Sequence, residues 1–148
     1  MIKKISTKTK MGWISAFENK GKIFKITFGK EKEQISSKVL KKFKKKLNNF
    51  FHKKSLDIVV PYKMYGNKLQ KKIWGELKKI KLGQTKTYGE IAKKNKLSPR
   101  HVGKICGQNK LMLIIPCHRV VKSDGSLGGF SSPGGISLKK KLLNFEKH

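Results

Sequence analysis

Pro116-Cys117-His118-Arg119-Val120 sets a thiol beside an imidazole near the C-terminal end of a 148-residue chain. Cysteine attacks carbon as the thiolate, and a free thiol of pKa about 8.5 is mostly protonated at neutral pH. Cys117 therefore needs a base, and His118 is next to it in sequence. Neighbouring side chains on extended backbone point to opposite faces, so one bridging water is expected to carry the proton between them. The imidazole in turn needs an orienting acid behind it. Protease chemistry would need an acyl intermediate that water resolves, and no protease signature surrounds this cysteine. Attack on an alkyl carbon instead gives a thioether, which has no usable leaving group. Such a protein reacts once.

Periodicity indicates what must hold this pair. The apolar run at 111–115 predicts a buried strand, ended by Pro116, which cannot donate to a ladder. Asn67 is placed to cap a helix with the stripe Leu69, Ile73, Leu77 and Ile80, with Trp74 alongside and Gly83 closing it. Thr87-Tyr88-Gly89-Glu90 reads as a capping box opening a short helix through Lys94. Residues 95–97 turn the chain, and Ser98-Pro99 opens another helix to about Gln108. Two short helices around a tight turn, over about 87–108, form a helix-turn-helix. An αα-hairpin that binds nothing has the same pattern. The glycine-rich loop 124–130 lacks the G-K-[ST] ending of a phosphate loop and reads as a flap beside Cys117. Pro133-Gly134-Gly135 turns the chain, and Ser137 is placed to cap a last helix bearing Leu138, Leu142 and Phe145.

The N-terminal part carries no comparable chemistry. Runs at 12–17 and 22–28 around Asn19-Lys20-Gly21 predict a β-hairpin, with Phe24, Ile26 and Phe28 on one face. Val39, Leu40, Phe43, Leu47, Phe50 and Phe51 recur at helical spacing, which makes the lysines of 37–51 the solvated face of an amphipathic helix. Residues 56–60 predict a further strand, ended by Pro61. The expected fold is α+β or α/β: a small N-terminal α/β unit (hairpin or sheet plus helix) over 1–62, then a mainly helical domain with the helix-turn-helix over 63–148.

The charge is 37 Lys+Arg against 8 Asp+Glu, net +29. Such a field calls for an anionic partner, with nucleic acid the leading class and a membrane surface second. No stretch approaches the ~20 apolar residues of a membrane-spanning helix. Met1-Ile2-Lys3-Lys4-Ile5 has no signal-peptide core, so an intracellular protein is expected: cytoplasmic and nucleoid-associated, or nuclear in a eukaryote. Arginine occurs only at Arg100 and Arg119, both inside the motifs above, where a planar guanidinium does what a lysine cannot. With two cysteines, Cys106 and Cys117, and His52, His101 and His148 scattered, neither a disulfide nor a metal site is expected.

Over about residues 69–146, the Cys-His motif and the capped helix pair resemble the O6-alkylguanine-DNA alkyltransferases, also called methylated-DNA–protein-cysteine methyltransferases. The resemblance implies a DNA repair protein, a monomer without cofactor or metal, that acts on duplex DNA containing O6-alkylguanine. The damaged nucleotide would be flipped out of the stack and its alkyl group moved irreversibly to Cys117. His118 would be the base and Glu146 its orienting acid. Tyr88 would help turn out the 3′ phosphate and line the pocket, its hydroxyl near the departing guanine. Arg100 would fill the vacated space, with Ser98, Gly103 and Lys104 also along the DNA face of a helix entering the minor groove. Backbone groups of Cys117, Val120 and Ser131 would read the guanine edge, and Gly128 and Phe130 would complete the pocket. Asn109 would be the hinge linking the recognition helix to the cysteine segment, and Arg119 would brace the active-site loop. The chain departs from the family pattern at Lys104 and Ile105, large for minor-groove entry, at Lys110, where proline commonly stands, and at Ser132-Pro133, which extend the flap. The zinc ligands that some relatives carry in their N-terminal unit are not found. Two other classes share some of these features: a non-catalytic lesion sensor or basic helix-turn-helix DNA-binding protein, and a redox or protease enzyme with a Cys-His pair.

Overall fold

The computed structural model describes residues 2–54, 57–128 and 135–147. The chain divides into two compact units, Met1–Tyr65 and Gly66–His148.

The first unit is an antiparallel meander of β1 (Lys3–Thr9), β2 (Gly12–Asn19) and β3 (Lys22–Phe28), with α1 (Lys38–Phe51) packed on it. Lys20 and Gly21, at φ 51° and 80°, form the two-residue turn between β2 and β3. Ser37 caps α1 by accepting from the Leu40 N–H, and Val39, Leu40, Phe43, Leu47, Phe50 and Phe51 are all buried. Three sequence expectations change here. The ladder shifts register between Phe17 and Glu18, where Phe17 pairs with Lys25 and Glu18 with Ile23. Phe24 is thus the extra residue of a bulge, and Ile23 and Ile26, not Phe24, Ile26 and Phe28, enter the core. β1 was not anticipated: Lys3, Lys4 and Lys8 mask its pattern, and its buried face includes Ser6, which shares a 2.7 Å hydrogen bond with Ser15. Of the strand expected over 56–60, residues 57–60 form no ladder; Ile58 and Val60 are buried, and contact with β3 comes through a bridge between Ile23 and Tyr62.

The second unit holds α2 (Lys68–Leu77), β4 (Lys86–Thr87), α3 (Tyr88–Asn95), α4 (Pro99–Gly107), a single 3-10 turn at Cys117–Arg119, β5 (Val120–Val121) and α5 (Gly135–Lys147). Asn67 and Gln70 form a complete capping box on α2. That helix ends at Leu77 rather than running to Ile80, and Gly83 (φ 82°) belongs to a separate turn after it. Thr87 caps α3 by accepting from the Glu90 N–H, but the Glu90 carboxylate turns to Lys86 at 3.8 Å, so the expected box is half formed. Lys96, at φ 57°, ends α3, and Ser98 with Pro99 opens α4. The two helices pack as a helix-turn-helix, and the buried Trp74 indole of α2 donates to the Ile105 carbonyl of α4 at 2.9 Å.

Leu111–Ile115 is buried as expected but is not a strand: it forms tight turns, with Leu113 at φ 73° and the Ile115 N–H bonded to the Leu111 carbonyl. The true strand after it, β5, is two residues long and pairs in parallel with β4, Lys86 opposite Val120 and Thr87 opposite Val121. Ser137 lies inside α5 rather than at its cap. Residues 131–134, with the turn expected there, lie outside the described residues.

Candidate active site

The β4–β5 ladder fixes the site. Tyr88 follows β4 directly, and Cys117, His118 and Arg119 immediately precede β5, so two backbone pairings bring both ends of the chemistry together. Asn109, just after α4, ties down the segment between: its amide donates to the Ile115 carbonyl and its oxygen accepts from the Leu111 N–H, both at 2.9 Å. The same side chain hydrogen-bonds the Cys117 sulfur.

Behind the thiol lies a buried charge array. His118 donates from Nε2 to Glu146 Oε2 at 2.8 Å. Arg119 donates from Nε to Glu146 Oε1 and from Nη2 to Oε2, and from Nη1 to the Ile80 carbonyl, each at 2.8 Å. His118, Arg119 and Glu146 are all buried. Burial alone would raise the Glu146 carboxyl, but His118 and Arg119 together outweigh it and hold it at about 2. Burial pushes His118 below its ordinary value, against the pull of Glu146, so the ring is neutral at neutral pH. With Nε2 donating, Nδ1 is the acceptor, and it has no hydrogen-bond partner among the described residues.

Cys117 is 7% exposed, on a 3-10 turn rather than extended backbone. Burial raises the Cys117 thiol, and this outweighs the hydrogen bond from Asn109, the nearby Lys139 and two backbone N–H groups that favour the anion. The resting site is therefore thiol, neutral imidazole and carboxylate.

Lys139 was missed by sequence reasoning. It is buried on α5, its ammonium 3.2 Å from the Tyr88 hydroxyl and 5.4 Å from the ring centroid. Burial lowers it to about 8, and burial, with smaller contributions from Cys106 and Cys117, raises Tyr88 to about 12. The available signal was that Lys139, Leu142, Leu143 and Glu146 share the i, i+3, i+4, i+7 face of α5, which places two charged residues on the buried stripe. Cys106, on the buried side of α4, is raised to about 12 by burial first and Cys117 second.

The remaining expected residues fall as follows. Gly128, at φ 73°, lies against Tyr88: a Cβ there would stand 2.9 Å from Cε2 of the ring. Val120 is fully buried and its N–H donates to the Cys117 carbonyl; the Cys117 N–H goes to Ile115. The N–H groups of both residues are thus engaged within the chain. Ser98, Arg100 and Lys104 are exposed on α4 and its cap, and Gly103 is half-buried with its Cα facing the Tyr88 ring. Phe130 and Ser131 lie outside the described residues.

Comparison with known proteins places the chain in a family. Residues 68–148 match the family model for the 6-O-methylguanine DNA methyltransferase, DNA binding domain. The methylated-DNA–protein-cysteine methyltransferase of Sulfolobus acidocaldarius is 36% identical over 138 residues, 92% of this chain and 87% of the relative. That of Methanocaldococcus vulcanius is 48% identical over 89 residues, 60% of this chain and 53% of the relative. The crystal structure of Mycobacterium tuberculosis OGT in complex with DNA superposes with a TM-score of 0.86 at 26% identity, covering 97% of this chain and 92% of that one. The matched helix-turn-helix, the Cys-His motif and the near full-length likeness lead to one conclusion: this chain belongs to the O6-methylguanine-DNA methyltransferase family, the methylated-DNA–protein-cysteine methyltransferases.

Proposed function

We propose that this protein repairs O6-alkylguanine in duplex DNA by moving the alkyl group, once and irreversibly, onto Cys117. One observation carries the reading: a buried Arg119–Glu146–His118 array leaves the imidazole neutral, its acceptor Nδ1 unpartnered among the described residues, next in sequence to a thiol. That arrangement can take a thiol proton through a water when the alkyl carbon arrives. The S–C bond then forms as the C–O bond breaks, and the guanine leaves with the C–O electron pair. Tyr88, protonated at neutral pH and backed by the Lys139 ammonium, is placed to supply the proton that neutralises it. The imidazolium formed on His118 is stabilised by the Glu146 carboxylate. A thioether does not hydrolyse, so the protein is consumed.

The base must leave the stack to reach a sulfur this buried. Arg100 on the exposed side of α4 is the side chain to occupy the gap, and Ser98, Gly103 and Lys104 lie along the same helix. Asn109 couples that helix to the cysteine segment. A sensor that only flags damage needs no polarised imidazole behind its thiol. No helix among the described residues is long and apolar enough to cross a membrane; we assign the protein to the compartment that holds the DNA.

The test uses a duplex with one O6-methylguanine and sub-stoichiometric protein, followed by nucleoside analysis of the DNA. The wild type should restore one guanine per protein and then stop. Cys117→Ala should bind the duplex and restore none. Continued turnover, or repair by the alanine variant, would overturn the reading.

A further inference from the structure

We infer that the lysine face of α1 is a docking surface for the phosphate backbone of duplex DNA, additional to the helix-turn-helix. The inference rests on the repair reading for the identity of the polyanion. α1 carries six lysines and no acidic residue. Lys38, Lys41, Lys42 and Lys45 are exposed and recur at i, i+3, i+4 and i+7, one stripe along the helix. Like charges at these spacings repel one another, and Lys38 also stands in the first turn, where the helix dipole disfavours a cation. None of the four forms an ion pair among the described residues; in the same unit Glu31 pairs with Lys4 and Glu18 is buried. The helix is held despite this self-repulsion by its apolar side, and a polyanion laid along the stripe would relieve it.

The geometry selects among anions. The apolar side of α1 is wholly spent inside the unit on Val39, Leu40, Phe43, Leu47, Phe50 and Phe51, so the helix has nothing to insert into lipid. The lysine stripe contains no aromatic side chain on which unpaired bases could stack. What remains is a row of point charges, suited to phosphates and blind to sequence. Seven residues of helix span about 10 Å, and duplex DNA carries one charge per about 1.7 Å of axis, so the stripe meets several phosphates at once.

The experiment compares two full-length variants with equal charge loss. One carries Lys41→Gln, Lys42→Gln and Lys45→Gln; the other, Lys8→Gln, Lys22→Gln and Lys32→Gln, removes three scattered exposed lysines of the same unit. Affinity for an undamaged duplex is measured against salt. Each phosphate contact contributes about 0.9 to the slope of log affinity on log salt, so the α1 variant should lose about two to three and the control less than about one. An equal loss in both variants means net charge alone and overturns the inference, as does an unchanged slope in the α1 variant. Co-sedimentation with phosphatidylserine vesicles that the α1 substitutions abolish, while the DNA slope stays at wild type, would overturn it in favour of a membrane. Methyl gain by the same wild-type preparation is read in parallel on a duplex bearing O6-methylguanine: gain without a slope difference refutes the surface alone, and no gain refutes the repair reading.

Discussion

Arg119 grips Glu146 through two parallel hydrogen bonds, Nε to Oε1 and Nη2 to Oε2, both 2.8 Å. The same carboxylate oxygen that receives Nη2 also receives His118 Nε2, so the arginine sets the position of the acid, and the acid sets the tautomer of the base. Arg119 thus touches His118 only by way of the Glu146 carboxylate they share.

Arg119→Lys keeps the charge but cannot make the fork or reach the Ile80 carbonyl as well. Leaving the Glu146 carboxylate part-satisfied in the interior should cost about 2 kcal/mol and lower the unfolding midpoint by roughly 6 °C. Thermal unfolding checks this; a midpoint equal to wild type would mean the pair is not structural.

Glu146 is held at about 2 in the folded state against an ordinary 4.5. A carboxyl lowered on folding stabilises above its unfolded value and loses that contribution as pH falls through the window between the two. The contribution is of the order of 3 kcal/mol, gone by about pH 2. Urea unfolding between pH 6 and about 3 should therefore fall more steeply for wild type than for Glu146→Gln; parallel curves would contradict the array.

Gly128→Ala places a methyl 2.9 Å from the Tyr88 ring and 3.1 Å from its hydroxyl, on backbone at φ 73°. Something must move, and the ring is the nearer body. Single-turnover transfer should slow roughly tenfold, about 1.4 kcal/mol in the barrier. Wild-type rates in this variant would remove Gly128 from the pocket.

Arg100→Lys leaves the charge of the exposed face of α4 unchanged. Salt dependence of binding should match wild type, while repair slows roughly tenfold, because a flexible ammonium cannot fill the space of a flipped base as a planar guanidinium does. Equal repair rates would show that charge alone matters at this position.

Much of this was legible in the sequence, and the failures have physical causes. The amphipathic pattern of α1 and the caps at Asn67, Thr87 and Ser98 are local signals, and each is present; the His118–Glu146 contact was implied only by the family resemblance, and it too is present. The segment Leu111–Ile115 misled because burial on all sides erases periodicity; it is tight turns held from outside by Asn109, a non-local cause. β4 and β5, two residues each, are below any pattern length and exist because they pair. The bulge at Phe24 breaks the strict alternation on which one shared face for Phe24, Ile26 and Phe28 was read. The raised Cys117 thiol depends on how deeply the fold buries it, which no motif encodes.

The most direct measurement is the mass of the Cys117-containing peptide after reaction with excess duplex bearing O6-methylguanine. The account predicts one added methyl on Cys117, on every active molecule, with Cys106 unmodified. An unmodified Cys117 with the DNA repaired, or the methyl on any other residue, would contradict it.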